Sequence, residues 1–385
     1  MRDALRELKN FFRKGDMVLL VMCLTISAFG CLIIASTNNY RGFMPYVLRQ
    51  ILAIGLGVFS YAVMSSLDLE ALSERRLLLT GLCLFMLFLL IPFGTDFGSG
   101  NKSWLAIPLI PFNIQPAEIC KIFYIIITAS VLSSHQQKLS SIRSVFHTAA
   151  YLILLVGVNL VLSGDLGVSL IFVFIFIGMT FTGGVSLYWF LAAIGTVVAA
   201  WPFLWEHFFS DNQKLRIEVL FNPSIDPTGI GVRYHLKRSL DSLTAGGMLG
   251  QGLFNGTRTQ AGNLLPAQHT DFIFSAIGEE MGYFGCALVL IMLFLLVIRC
   301  IWVGNRSTDF MRRLVCFGVA SALIFQIVVN IGMCIGLIPV IGLTLPLISY
   351  GGSSMVTIYA MLGLVSGVYA RPAPRSHERY IQPPR

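Results

Sequence analysis

The stretch LLPAQHTDFIFSAIGEEMG, residues 264–282, carries Asp271, Glu279 and Glu280 into an apolar run that continues as YFGCALVLIMLFLLVI to Ile298. Acidic side chains are expensive near hydrocarbon, so each must be compensated or used. A single helix from Asp271 through Trp302 would exceed the roughly 20 residues that a bilayer core requires. The stretch therefore predicts a short re-entrant or tilted segment over 271–281, lining a cavity, with a membrane span from about 282. Polar backbone at that depth is tolerated only beside protein or water. Asp271 suits a helix start and equally a functional group on the cavity wall. Glu279 and Glu280 read as structural or cavity-lining.

The rest of the chain extends this pattern. Of 385 residues, 56% are apolar and only 12% charged, with a mean hydropathy of +0.77; ordinary soluble domains carry about 25% charged residues. Further spans are expected near 17–36, 46–66, 77–93, 118–133, 144–162, 165–182, 187–205, 314–338 and 350–370. The first follows a basic tail, as a signal peptide would, but its apolar run is too long for one and more spans follow at once. The expected fold is an all-α polytopic membrane protein. One domain, 1–385, holds about ten transmembrane helices, a large outward loop at 206–271 and the re-entrant segment.

Basic residues orient that bundle. Arg and Lys concentrate in the tail 1–16, in the loops around Arg75, Lys138 and Arg306, and in the tail 371–385. All lie on one side of an even-span chain, which the positive-inside bias makes cytoplasmic. The net charge of +8 is explained by this bias and argues for no nucleic-acid partner. The eight cysteines sit in or beside apolar spans without a CxxC, so a disulfide framework is excluded and small buried hydrophobes are expected.

Polar groups at membrane depth are where chemistry would show. In IQPAEICK, Glu118 and Lys121 fall three residues apart on one helix face that Pro116 can start. They form either a structural pair, or a pair in which Lys121 faces a water-filled cavity to meet a negative ligand. Trp104, in the Gly- and Pro-rich loop 94–118, lies where an interfacial anchor belongs. Asp165 in SGDLG suits a helix cap. Lys214 and Arg216, just outward of the seventh span, are solvated or bind a pyrophosphate or lipid head group. Gly246, Gly247, Gly250, Gly252 and Gly256 suggest close backbone packing or tight turns.

The segments QPAEICK (115–121), LPAQHTDFIFSAIGEEMGYFG (265–285) and GLIPVIGLTLPLISYGGSS (336–354) together resemble signature regions of the SEDS family, for shape, elongation, division and sporulation. GNKSWLAI, SGDLG and DPTGIG match further family segments in the same order, so the resemblance covers nearly the whole chain. NGTRTQAGNLLPAQHTDFIFS and NIGMCIGLIPVIG are closer to the RodA branch than to the FtsW branch. Ala117 departs from the family's usual Ser, and SGDLG lacks its usual Pro. The resemblance implies a peptidoglycan glycosyltransferase that polymerises lipid II at the outer face of the cytoplasmic membrane. It also implies a class B penicillin-binding protein as partner, alongside other elongation-complex proteins. It places the essential aspartate at Asp271 and further important positions at Trp104, Glu118 and Lys121. Ser349 falls in the SYGGSS signature, and with Arg216 and His269 it joins the expected substrate-binding set.

Such a transferase needs a base for the acceptor hydroxyl and cations against the departing pyrophosphate. Asp271 fits the first demand; Lys121, Arg216 and a divalent cation, Mg2+ or Mn2+, fit the second. Two rivals share the composition: a transporter that flips lipid II, and a non-catalytic scaffold for the penicillin-binding protein. Paired broken helices in matching halves, which an inverted-repeat transporter would show, are not visible in the sequence.

Overall fold

The computed structural model describes residues 15–95, 102–106, 112–207, 209–227, 229–262 and 264–371. Most of both expected cytoplasmic tails, 1–16 and 371–385, lies outside the described residues. In chain order the helices are α1 (Met17–Thr37), α2 (Met44–Ser66), α3 (Leu69–Glu74), α4 (Arg76–Phe93), α5 (Pro116–Ser134), α6 (Ile142–Ser163) and α7 (Leu166–Gly183). There follow α8 (Leu187–His207), α9 (Asp211–Phe221), α10 (Tyr234–Gly246), α11 (Ile273–Arg306), α12 (Phe310–Cys334) and α13 (Gly352–Ala370). Ten of them are long and apolar enough to cross a membrane; α3, α9 and α10 are not among these. The only described sheet is a two-residue ribbon, β1 (Gly94–Thr95) antiparallel to β2 (Trp104–Leu105). Each span agrees with its expected position because a chain surrounded by hydrocarbon must satisfy its backbone internally, and only a long apolar helix does so locally.

The two ends of the bundle are tied differently. At one end Asp16, 1% exposed, caps α1 by accepting from Leu19 N–H at 3.0 Å and pairs with Arg299 of α11 at 2.8 and 2.9 Å. Tyr61 of α2 donates to the Asp16 carbonyl and Ser366 of α13 accepts from its N–H, both at 3.0 Å. The charge pair is thus buried with additional hydrogen bonds, the condition under which such a pair is tolerated. Helices α2 and α13 run parallel from the opposite end, where Gln50 donates to the Ser349 carbonyl at 3.1 Å, down to Ser65 and Ser366 at 3.2 Å. By contrast α8 buries no residue within the chain and stands at the bundle's margin.

The opening stretch folds as a hairpin. Helix α11 breaks at Gly282, with φ 64° and ψ −160°. Cys286 Sγ lies 4.0 Å from the Phe274 carbonyl, although an unbroken helix would separate residues twelve apart by ~18 Å. Residues 273–281 therefore fold back along the start of the span that follows, which is the expected re-entrant segment. Its last carbonyls are not orphaned: Gln251 N–H donates to Glu279 O at 3.0 Å and Gly252 N–H to Glu280 O at 2.9 Å. Gly250 (φ +81°) passes so close to the Glu280 carbonyl that no side chain fits there.

The two glutamates hold this layer together. Glu280, 1% exposed, accepts from Ser36 Oγ at 2.5 Å, Thr259 Oγ1 at 2.9 Å and Gln260 Nε2 at 3.4 Å. Glu279 accepts from Arg258 N–H at 2.6 Å and Thr257 Oγ1 at 3.4 Å. Glu280 is thus compensated, and Glu279 on one oxygen only, its Oε2 having no partner among the described residues; both anchor the segment 251–260 to the hairpin.

Replacing Gly282 by Ala forces a side chain onto a backbone conformation essentially reserved for glycine, and into Gly250 and Met248. The conformation alone costs about 1–3 kcal/mol, so Gly282→Ala is expected to lower the thermal unfolding midpoint in detergent. Gly195→Ala, on α8 with nothing within 4 Å of the added methyl, should not.

Candidate active site

At the end of the bundle opposite Asp16, a cavity of about 890 Å³ is walled by α5, α7, α9, α10, α12 and the segment 340–351. Its lining includes Trp104, Gln115, Glu118, Asp165, Arg216, His235, Asp271, Gln326 and Tyr350.

Asp271 enters this cavity from a turn that the tertiary structure grips at three successive carbonyls. Tyr350 N–H donates to His269 O at 2.8 Å, Ser349 Oγ donates to Thr270 O at 2.6 Å, and Asn330 Nδ2 donates to Asp271 O at 2.8 Å. Asn330 also donates to Leu343 O at 2.6 Å, which ties the same turn to the segment before α13. The carboxylate itself receives no hydrogen bond among the described residues and is half-buried against the cavity. Burial, and secondly the like charge of Asp165, push its carboxyl up to about 6.

Asp165 is both a helix cap and a wall residue. It accepts from Val168 N–H at 3.1 Å and from Gln115 Nε2 at 2.8 Å, and burial raises its own carboxyl, Glu118 adding to the effect. Arg216 of α9 donates to Val340 O at 3.0 Å and is the cation among the lining residues. His235 stacks on Phe272 at 6.0 Å, and burial followed by the Arg216 charge lowers its pKa.

Glu118 and Lys121 form an ion pair of 2.7 Å in which Lys121 is wholly enclosed. It is Glu118 that reaches the cavity, and its Oε2 has no hydrogen-bond partner among the described residues. His269 packs against Tyr46 and Tyr350, each at 5.5 Å, behind the turn; burial, then Arg41, lower its pKa to about 4. Ser349 uses its hydroxyl on Thr270 O and on Leu345 N–H at 2.9 Å, so it supports the Asp271 turn from behind. Trp104 stands at the cavity edge on β2. Thus Trp104, Glu118, Arg216 and Asp271 meet in one cavity, while Lys121, His269 and Ser349 lie in its supporting layer.

Gln326 and Asn330 escaped the sequence reading. Two amides four residues apart within an apolar span place polar groups on one helix face at membrane depth, and that spacing was the available signal. Among the described residues no three His, Cys, Asp or Glu side chains converge as a site for a divalent ion.

Lys121→Met leaves the Glu118 carboxylate buried and unpaired, at an expected cost of about 3–5 kcal/mol. Adding Glu118→Gln should recover much of that loss, because the uncompensated charge is then gone. Unfolding midpoints of the two single variants and the double variant check this.

The family model FTSW_RODA_SPOVE, a cell cycle protein family, matches residues 15–372. The chain is 30% identical over 366 residues to the peptidoglycan glycosyltransferase MrdB of Escherichia coli K12, covering 94% of this chain and 95% of that protein. It is 30% identical over 367 residues to stage V sporulation protein E of Bacillus subtilis, covering 92% and 96%. Among solved structures, it resembles a chain from a study of how a peptidoglycan synthase complex coordinates polymerization and crosslinking, with a TM-score of 0.76, 28% identity and coverage of 96% and 99%. The rod shape determining protein RodA of Thermus thermophilus is similar with a TM-score of 0.69, 25% identity and coverage of 94% and 98%. A match that spans nearly the whole chain, together with this arrangement of helices around Asp271, makes the chain a multi-pass membrane protein of the FtsW, RodA and SpoVE family, the SEDS family.

Proposed function

We infer that this chain is a peptidoglycan glycosyltransferase that polymerises lipid II with Asp271 as general base. The observation that carries the reading is the Asp271 carboxylate: gripped through its backbone, uncontacted at its oxygens, and facing a cavity large enough for sugars. The 4-hydroxyl of the acceptor sugar gives its proton to an Asp271 oxygen as the hydroxyl oxygen attacks the anomeric carbon of the donor. The bond from that carbon to the pyrophosphate breaks, and the undecaprenyl diphosphate leaves with the bonding pair. A pyrophosphate needs charge balance more than an acid, so one carboxylate base suffices. The position of Arg216, a cation on the cavity lining, supports a role for it in that balance. A Mg2+ or Mn2+ ion bound to the pyrophosphate would add to that charge balance.

Basic loops at the Asp16 end, around Arg75, Lys138, Arg306 and Arg371, support an orientation with both termini in the cytoplasm and the Asp271 cavity opening outward. A class B penicillin-binding protein is the proposed partner. The resemblance to a chain of a complex that couples polymerization to crosslinking supports it. The RodA-like motifs support a role in elongation and cell shape.

Asp271→Asn should abolish glycan polymer made from labelled lipid II by the purified, partner-bound protein while leaving its unfolding midpoint in place. Polymer from that variant at the wild-type rate would end the assignment. A base works only when unprotonated, so activity should rise with pH through about 6 and fall away below it. Asp165→Asn keeps a competent helix cap but removes the like charge, and should shift the inflection to lower pH.

A further inference from the structure

Gln326 lies on α12 four residues before Asn330, on the same face and deeper in the bundle. Asn330 spends its amide N–H groups on the Asp271 and Leu343 carbonyls. Gln326 is 1% exposed, lines the Asp271 cavity, and its Oε1 has no hydrogen-bond partner among the described residues. The preceding residue, Phe325, stacks on Phe174 of α7 at 4.1 Å, which holds this turn of α12 in place. Glu280, in the same half of the bundle, receives three donors on its carboxylate, whereas the Gln326 oxygen receives none among the described residues. An orphaned amide oxygen in a cavity wall is a group that folding alone does not explain.

The chemistry of the wall narrows what would complete it. Glu118 Oε2 of α5 and Ser103 Oγ are also unpartnered oxygens of cavity-lining residues, and Asp271 adds a further acceptor group. A wall of acceptors repels the oxygens of a pyrophosphate and attracts donors, whereas Arg216 on the α9 side does the reverse. An acetamido sugar supplies such donors as hydroxyls and an amide N–H.

We propose that Gln326 is a substrate-binding residue whose amide oxygen accepts a hydrogen bond from a hydroxyl or amide N–H of the sugar seated beside Asp271. The sugar thus lies against α5 and α12, and the pyrophosphate lies toward Arg216. The assignment rests on the glycosyltransferase reading above and specifies which wall of the cavity holds which half of the substrate.

The test is Gln326→Met in the full chain, bound to its transpeptidase-inactive partner, with lipid II titrated and the unfolding midpoint measured alongside. Methionine keeps the length of the side chain and removes its acceptor. The apparent KM for lipid II should rise about tenfold, the effect of one hydrogen bond, with kcat within about twofold of wild type. The unfolding midpoint should hold or rise, because a buried polar atom without a partner has been removed. An unmoved KM overturns the assignment, and so does a lowered midpoint, which would make Gln326 a packing residue. No polymer from the wild type would overturn the glycosyltransferase reading, and this assignment with it. Wild-type polymer with an unmoved KM in the variant overturns Gln326 alone.

Discussion

Three consecutive carbonyls, those of His269, Thr270 and Asp271, are each held by a donor, two from the neighbouring residues Tyr350 (N–H) and Ser349 (Oγ) and one from Asn330 Nδ2 of α12. The turn before α11 has little regular structure of its own, so these bonds decide where the Asp271 side chain points. By using backbone carbonyls, the grip leaves the carboxylate without internal partners. A hydrogen bond to the ionised carboxylate would instead stabilise it and hold its pKa down. The chain gains a fixed position for Asp271 and keeps a carboxyl near 6, a value suited to proton transfer close to neutral pH.

The acidic residues of this end show three solutions to one desolvation problem. Glu280 is compensated by three donors, and Glu279 by two on one oxygen while its other oxygen has no partner among the described residues; both tie the segment 251–260 to the hairpin. Glu118 is half compensated: one oxygen meets Lys121 at 2.7 Å while the other faces the cavity unpartnered. Asp271 is left uncontacted, and its environment shifts its titration instead. Unsatisfied buried polar atoms cost roughly 1–3 kcal/mol each, so stability is given up at the cavity wall, at Glu118 and Gln326.

The fold makes that loss bearable through its opposite end. The Asp16–Arg299 pair, with Tyr61 and Ser366 completing its hydrogen bonds, joins α1, α2, α11 and α13 far from the cavity. The parallel packing of α2 and α13 then carries that rigidity to Gln50, Ser349 and Gly351, directly behind the Asp271 turn. Helix α8 takes little part in this, with no fully buried residue and only Trp189 and Phe190 packed against the core.

Much of this was readable in one dimension. The positions of the ten spans follow from apolar run length, because backbone desolvation is a local demand that a local pattern must answer. The break near Gly282 and the prominence of Asp271 were legible for the same reason: carboxylates beside an apolar run are a conflict visible without coordinates. The spacing of Glu118 and Lys121 suggested either a structural pair or Lys121 facing a cavity, because the rotation of α5 against its neighbours is not written in the spacing; the packed bundle forms the pair, encloses Lys121 and sets the buried Glu118 in the cavity wall. Ser349 stood out by its motif, but only the fold brought it to Thr270, seventy-nine residues away in sequence, as a support for the turn. Gln326 and Asn330 look alike in the sequence, two amides in one apolar helix. Tertiary contact alone separates them: it spends the donors of Asn330 on the Asp271 and Leu343 carbonyls and sets Gln326 in the cavity wall, the amide oxygen of each being without a partner among the described residues.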